Sequence, residues 1–425
     1  MELTSSICEK IMGEKGQEAF EGWYENAESQ PRRYLDTIHG FEKAFGNGRR
    51  VALFSSPGRC EIIGNHTDHQ LGRVVAAAVT LDMIAVAAPN GSRTIRVVSE
   101  GYSASVVELD DLAPRIRERG TPSALIRGVA ASLTRSGFSP AGFDAYVSSQ
   151  LPSGAGLSSS AAFECLVGTI LNTLFCGGKA SFTQVAQAGR FAESEYFGKP
   201  CGLMDQLACA AGGFAAMDFA NPAAPQVRRL PFSPQHHGLC LFSVHTGGSH
   251  ADLTEQYAAI PAEMKAVAAC FGQQALRQVP EDAFWAEAGK LRGQVPDRAL
   301  LRAAHFFEED RRAAAMSDAL AQNDIPRILA LFSASGRSSQ QLLQNAWPDA
   351  KPEERGISLA LLLSSHLLQN KGACRIHGGG FAGSILALAP QELATAYQRE
   401  MEAAFGPNSC RRLYVRPAGA GEILL

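Results

Sequence analysis

No two of the ten cysteines in this 425-residue chain stand in a CxxC spacing. Scattered in this way they offer no thiolate metal site and no disulfide framework. Free, mostly buried thiols in a reducing cytoplasm are the reading that remains. An excess of charge of one sign is missing too: 39 basic and 42 acidic residues leave a formal net charge of −3. No run of Lys or Arg forms a basic tail, so neither nucleic acid nor an anionic membrane is an expected partner. Long apolar runs are absent. The longest, Val74 to Pro89, is broken by Asp82 and is shorter than the roughly 20 residues that span a bilayer. The first twenty residues scatter charge through every short apolar stretch, so no secretory signal is expected. There is no internal repeat, no low-complexity segment and no GxxxxGK[ST] phosphate loop.

What is present is an ordinary globular composition, 46% hydrophobic and 19% charged. At roughly 100–200 residues per domain the length favours two domains. The expected division is 1–210 and 211–425. Thr94 to Val98 and Ser105 to Leu109 read as strands. Thr121-Pro122 reads as a helix start, with threonine as N-cap, and Leu125, Val129 and Leu133 recur on one face until Gly137. Phe143, Ala145 and Val147 alternate as in a half-buried strand. From about 250 to 370 the pattern is mainly helical. A glycine-rich turn then leads into the apolar run Ser384 to Leu388, a helix near 392–405 and a strand near Leu413 to Val415. Helices and strands interleave in both halves, which indicates an α+β protein of two lobes.

The loop Leu151-Pro-Ser-Gly-Ala-Gly-Leu157 lies between the strand at 143–147 and a helix expected from Ser158. Strand, glycine-rich loop and helix is a recipe for holding phosphate. The first helical turn presents unpaired N–H groups and the positive end of the dipole. Gly154 and Gly156 allow close approach, and Ser158, Ser159 and Ser160 add hydroxyls. A serine-capped helix after a tight turn is the plainer alternative. Gly378 to Gly383 fits GxGxxG by letter, but no long amphipathic helix follows it, so close approach to a ligand or strand explains those glycines better.

Four segments together resemble the GHMP kinases. They are Ser56-Pro-Gly-Arg-Cys-Glu-Ile-Ile-Gly-Asn-His-Thr-Asp68, Leu151-Pro-Ser-Gly-Ala-Gly-Leu-Ser-Ser-Ser-Ala161, Pro200-Cys-Gly-Leu-Met-Asp-Gln206 and His377-Gly-Gly-Gly-Phe-Ala-Gly383. The first and third are similar to galactokinase segments in particular. The resemblance implies the two-lobed GHMP kinase fold, an N-terminal lobe like ribosomal protein S5 domain 2 and a ferredoxin-like C-terminal lobe, with the site in the cleft between them. It implies ATP-dependent phosphorylation of the C1 hydroxyl of galactose by a cytoplasmic enzyme, a monomer or weak homo-oligomer. The alternatives are the same reaction on another galacto-configured sugar such as galacturonate, or a non-catalytic sugar sensor.

Carried over residue by residue, the resemblance makes Asp205 and Arg59 catalytic. It makes Ser160 and Glu193 the Mg²⁺ ligands. Asn65, His66, Asp68, Gly202, Tyr257, Gly379 and Gly380 become sugar-side residues, and Pro152, Ser153, Gly154, Ala155, Gly156, Leu157, Ser158, Ser159, Ser160 and Ala161 the ATP loop. The plainer alternatives are a local ion pair within Arg59–Asp68, a helix-capping Asp205, a solvated Glu193 and a Tyr257 that simply packs. Three departures stand out. Asn65 occupies the place of a glutamate that meets the sugar near its C6 hydroxyl, and Glu61 stands where asparagine is usual. His69 replaces a usual tyrosine. A neutral Asn65 leads to the expectation of broad tolerance at C6, including a carboxylate there.

Overall fold

The computed structural model describes residues 1–152, 156–248 and 253–425. The apolar run from Val74 is not a span but the central strand Arg73–Pro89 of the larger of two sheets. Its alanines and valines are buried because neighbours cover it along its length. Arg50–Ile63 pairs with it on one side, and Phe143–Ser149 and Phe214–Asp218 share the other. Asp82, the residue that broke the run, is fully buried and ion-paired with Arg33 and Arg416, the latter at 3.0 Å. Thr94–Ser99 and Ser105–Glu108 extend this sheet beyond Phe143–Ser149. Gln226–Leu230 pairs with Phe214–Asp218, and Gly421–Ile423 returns from the far end of the chain to pair with Arg50–Ile63.

The second sheet runs Ala373–His377, Ser384–Pro390, Leu239–His245, Cys410–Leu413, all antiparallel. By sheet membership the chain crosses over between Leu230 and Leu239, beyond the expected position at 210, and its last strand crosses back. That last strand carried no turn signal strong enough to be expected. Helices Pro122–Arg135, Ser159–Phe175, Phe182–Phe191 and Met204–Ala211 share one core with the first sheet. The same core takes Ala313, Met316, Ala319 and Leu320 from helix Asp297–Gln322, and Leu386 and Leu388 from the second sheet. The two halves are therefore packed together, not merely tethered. Thr121 precedes helix Pro122–Arg135 as expected but does not cap it with its side chain; its hydroxyl donates to Glu118 O at 2.6 Å instead. No described helix is long and apolar enough to cross a membrane.

Candidate functional site

In strand Arg50–Ile63 the register around Arg59, Cys60 and Glu61 is regular, so Arg59 and Glu61 share a face and Cys60 points away. Arg59 meets a carboxylate from far along the chain. Its Nε donates to Asp205 Oδ1 and its Nη2 to Asp205 Oδ2, both at 2.7 Å. This two-pronged geometry removes the alternative of a local pair with Asp68. Asp205 sits in the first turn of Met204–Ala211, yet its oxygens are taken by Arg59 and by Ser158 Oγ at 2.6 Å, so it is not a helix cap. Burial pushes the Asp205 carboxyl up. The Arg59 charge and the hydrogen bonds from Arg59 and Ser158 outweigh it, and the group is held below its ordinary value.

The same arginine holds the end of the glycine-rich loop. Arg59 Nη1 donates to Gly156 O, and Arg59 N donates to Leu157 O at 3.1 Å. Ser158 then takes a left-handed conformation, φ 57°, which is rare outside glycine. That turn sends its hydroxyl to Asp205 instead of to the helix, so Ser159–Phe175 begins with no side-chain cap. The N–H groups of the first turn, at Ser159, Ser160 and Ala161, precede the first intrahelical bond, Ala162 N to Ser158 O at 3.1 Å, and a helix start of this kind can bind an anion. Leu157 and Ala161 are buried anchors. Pro152 borders the loop; Ser153, Gly154 and Ala155 lie outside the described residues.

Ser160 Oγ donates to Glu193 Oε1 at 2.9 Å. Glu193 is 2% exposed, in a π-helical turn Ala192–Phe197, whereas Glu195 two positions on faces solvent. The solvated-surface alternative is thus removed for Glu193 and holds for its neighbour. Lys199 Nζ shares Glu193 Oε1 at 3.1 Å, and Gln206 Nε2 bridges Glu193 Oε2 and Glu164 Oε2, each at 2.9 Å. Burial and the nearby Glu193 push Glu164 well above the usual carboxylate range. Two hard oxygen donors converging from separate elements suit Mg²⁺, which uses one or two carboxylates and completes its shell with water and phosphate. Among the described residues no group of three or more His, Cys, Asp or Glu could hold a metal by itself.

The turn after Ile63 carries His66 and Asp68. His66 Nε2 donates to Gly379 O at 3.1 Å, and burial holds the ring neutral. Asp68 accepts from its neighbour His69 N at 2.9 Å. Burial, then the charges of Asp205 and Glu61, raise its carboxyl to about 6. Gly202 lies against it, and a methyl there would overlap the Asp68 carboxylate. Tyr257 packs edge-on against Phe381 and donates from its hydroxyl to Gly380 O at 2.9 Å. Gly380 has φ 80° and sits against Asn345, leaving no room for a side chain. Arg59, Glu61, His66, Asp68, Gly202, Asp205, Tyr257 and Gly379 together line one cavity of about 670 Å³.

Asn65 does not reach that cavity. It is fully buried, and its amide is filled: Nδ2 donates to Gly378 O at 2.6 Å and to Glu61 Oε1 at 3.0 Å, and Oδ1 accepts from Asn345 at 2.9 Å and Ser339 at 3.3 Å. The structure thus contradicts the expectation that this amide meets the sugar and loosens selectivity at C6. The sequence reading also missed residues that hold the site. Glu164 lies four positions after Ser160, hence on the same helix face, and a lone acid in an apolar stretch was its signal. Lys199 and Gln206 flank or end a segment already singled out. Asn345 offered no local signal, because it reaches the site only through the packing of the second half.

Comparison with known proteins follows this geometry. Residues 124–213 match the model of the GHMP kinases N terminal domain, and residues 39–89 match the galactokinase galactose-binding signature. Among solved structures, Lactococcus lactis galactokinase, complexed with galactose, is similar over 93% of this chain and 100% of its own, with TM-score 0.77 and 22% identity. Methanococcus jannaschii mevalonate kinase matches over 86% and 98%, with TM-score 0.61 and 13% identity. Streptococcus pneumoniae phosphomevalonate kinase, in complex with phosphomevalonate and AMPPNP, matches over 85% and 99%, with TM-score 0.58 and 13% identity. At such identities the likeness carries the fold, which is that of the GHMP kinases.

Proposed function

We propose, for a chain with the GHMP kinase fold and that family's N-terminal domain, that the protein is a galactokinase-like sugar 1-kinase, which transfers the γ-phosphoryl group of ATP to the C1 hydroxyl of galactose. The observation that carries this reading is the Arg59–Asp205 pair, which is tied to the phosphate loop through Gly156, Leu157 and Ser158 and opens onto the cavity that holds Asp68. In this reading the sugar oxygen attacks the γ-phosphorus, the bond to the bridging oxygen breaks, and ADP leaves. Asp205 orients the hydroxyl and takes its proton late, because a carboxylate held below its usual range is a weak base. Arg59 offsets charge on the transferred group. Ser160 and Glu193 would hold Mg²⁺, which neutralises phosphate charge when bound. His66, Asp68 and Gly202 form the sugar wall, with Tyr257, Gly379 and Gly380 closing it from the other half. Residues 152–161 hold the nucleotide phosphates. The ten free cysteines suit a cytoplasmic location.

The test is direct. Purified protein with ATP, Mg²⁺ and galactose yields galactose 1-phosphate and ADP; binding of galactose without ADP formation would favour a sugar sensor instead. EDTA abolishes turnover. Ser160→Ala and Glu193→Ala each raise the Mg²⁺ needed for half-maximal rate by about tenfold or more. An unshifted Mg²⁺ dependence in Glu193→Ala would return it to a structural role.

Asp68 gives the acid limb. Its folded value of about 6 lies above the ordinary 3.8, so lowering the pH through 6 protonates it and removes an acceptor for sugar hydroxyls. kcat/KM for galactose falls about tenfold per pH unit below that point, while kcat, which reports the complex, bends at lower pH. Stability runs the other way: ionising Asp68 as pH rises from 3.8 through 6 destabilises the free protein, and the raised value is the sign of that cost. A kcat/KM profile flat from pH 7 to 5 would remove Asp68 from sugar recognition.

A further inference from the structure

We propose that Lys199 is a tethered cation that holds the metal-facing oxygen of Glu193 in the free protein, so that a divalent cation enters with the nucleotide and not ahead of it. This rests on the reading of Ser160 and Glu193 as metal ligands. The two oxygens of Glu193 are placed differently. Oε2 accepts from Gln206 Nε2 at 2.9 Å, and the same nitrogen donates to Glu164 Oε2 at 2.9 Å. Oε1 accepts from Ser160 Oγ at 2.9 Å. Neighbouring ligands of an octahedral Mg²⁺, each about 2.0–2.1 Å from the ion, stand about 2.9 Å apart. Ser160 Oγ and Glu193 Oε1 therefore already have the spacing of one such edge. Lys199 Nζ lies 3.1 Å from that same Oε1.

The local backbone brings this ammonium back to the carboxylate. Glu193 lies in the π-helical turn Ala192–Phe197, and Gly198, at φ 90°, ends it. Gly198 N and Lys199 N both donate to Glu193 O, at 3.1 and 3.0 Å. Lys199 is thus tied to Glu193 twice, by its backbone N–H and by its side chain. The partners differ in freedom. The Glu193 side chain is 2% exposed, whereas that of Lys199 is 63% exposed and lines the cavity with Cys201, Gly202 and Asp205. The ammonium can swing into the cavity on its four-carbon stem, and the buried carboxylate cannot follow. An ammonium and a divalent cation on one oxygen exclude each other, because each needs the same acceptor and like charges at that separation repel.

Nucleotide changes this balance. A metal ion alone gains two protein donors and must displace the ammonium from one of them. A metal ion carried on phosphate arrives with part of its shell complete, and the phosphate oxygens give the displaced ammonium a new anionic partner. Metal and nucleotide are therefore coupled through Lys199, and the coupling is reciprocal.

The experiment uses Mn²⁺ in place of Mg²⁺, because its free form is read by electron paramagnetic resonance, and it needs neither sugar nor turnover. Mn²⁺ is titrated into the parent, Lys199→Met, Lys199→Arg and Glu193→Ala without nucleotide. ADP affinity is then measured for each with and without a fixed concentration of Mn²⁺. Without ADP, Lys199→Met binds Mn²⁺ about tenfold or more tightly than the parent does, and Lys199→Arg, which keeps the charge, stays within about threefold of it. The factor by which Mn²⁺ raises ADP affinity falls about threefold or more in Lys199→Met. The affinity of Mn²⁺ for ADP in solution is common to all the proteins and cancels in this comparison. A thermal scan establishes folding, and Lys199→Gln repeats the test should Lys199→Met not fold. Mn²⁺ affinity in the folded neutral variant that is parental, weaker or undetectable overturns the proposal. So does an undiminished effect of Mn²⁺ on ADP binding. If Mn²⁺ raises ADP affinity in Glu193→Ala as much as in the parent, the metal-ligand reading fails and this inference with it. A loss in Glu193→Ala with no change in Lys199→Met sinks this inference alone.

Discussion

Asp205→Asn folds, binds nucleotide and transfers phosphate about 10²–10⁴-fold more slowly than the parent. The substitution is close to isosteric and leaves Oδ1 to accept from Arg59 Nε. It replaces the second oxygen, which accepts from both Arg59 Nη2 and Ser158, with an N–H group that faces two donors. Arg59, at 7% exposure, then keeps its charge with no carboxylate beside it. Breaking a buried pair by removing one partner costs up to about 3–5 kcal/mol, so the comparison needs a thermal scan with and without ADP. The rate loss is read in single-turnover mixing at saturating galactose, where binding defects drop out. A folded variant with near-parental turnover would strip Asp205 of its role. A large loss in Arg59→Ala with a small one in Asp205→Asn would mean that charge stabilisation, not the acceptor, dominates.

The parts of this site that could be read in the sequence are those where chemistry is local. Gly154, Gly156 and the three serines offered a candidate phosphate loop because strand, loop and helix follow one another within twenty residues. The run Val74 to Pro89 was legible as apolar and too short to span a bilayer, but not as a strand, and Asp82 stood within it as an interruption that the Arg416 and Arg33 ion pairs explain. Asp205 and Arg59 could be paired only through resemblance, since 146 residues separate them. Asn65 was misread for a definite reason. A turn residue beside His66 is expected to face the ligand, but Asn345, Ser339 and Gly378, all from the second half, surround it. Side-chain direction there is set by packing across the two halves, and no local pattern encodes it. The return strand Gly421–Ile423 escaped for the same reason, because three residues gain strand character only from their partner.

Gly202→Ala is the change expected to do most with least chemistry. It adds one methyl group, removes no donor, acceptor or charge, and places that methyl where the Asp68 carboxylate now lies. One of two things must move. Either Asp68 rotates away from the sugar wall, or the segment between Glu193 and Asp205 shifts and takes the Asp205 carboxylate with it. Misplacement of about 1 Å in a positioning group costs up to about 10²-fold, so galactose kcat/KM falls by roughly 10–100-fold. The two routes separate in the kinetics. Loss confined to KM, with the acid limb near pH 6 abolished, means that Asp68 has moved. Loss in kcat means that Asp205 has. The route through Asp68 also predicts strong non-additivity, because Asp68→Asn and Gly202→Ala then remove the same interaction, and the double variant is scarcely worse than the poorer single one. ADP affinity stays at the parental level, since Arg59 holds Gly156 and Leu157 and the added methyl meets Asp68. An alanine at 202 with parental KM and kcat would show that the Asp68 carboxylate does not need its present position to recognise the sugar.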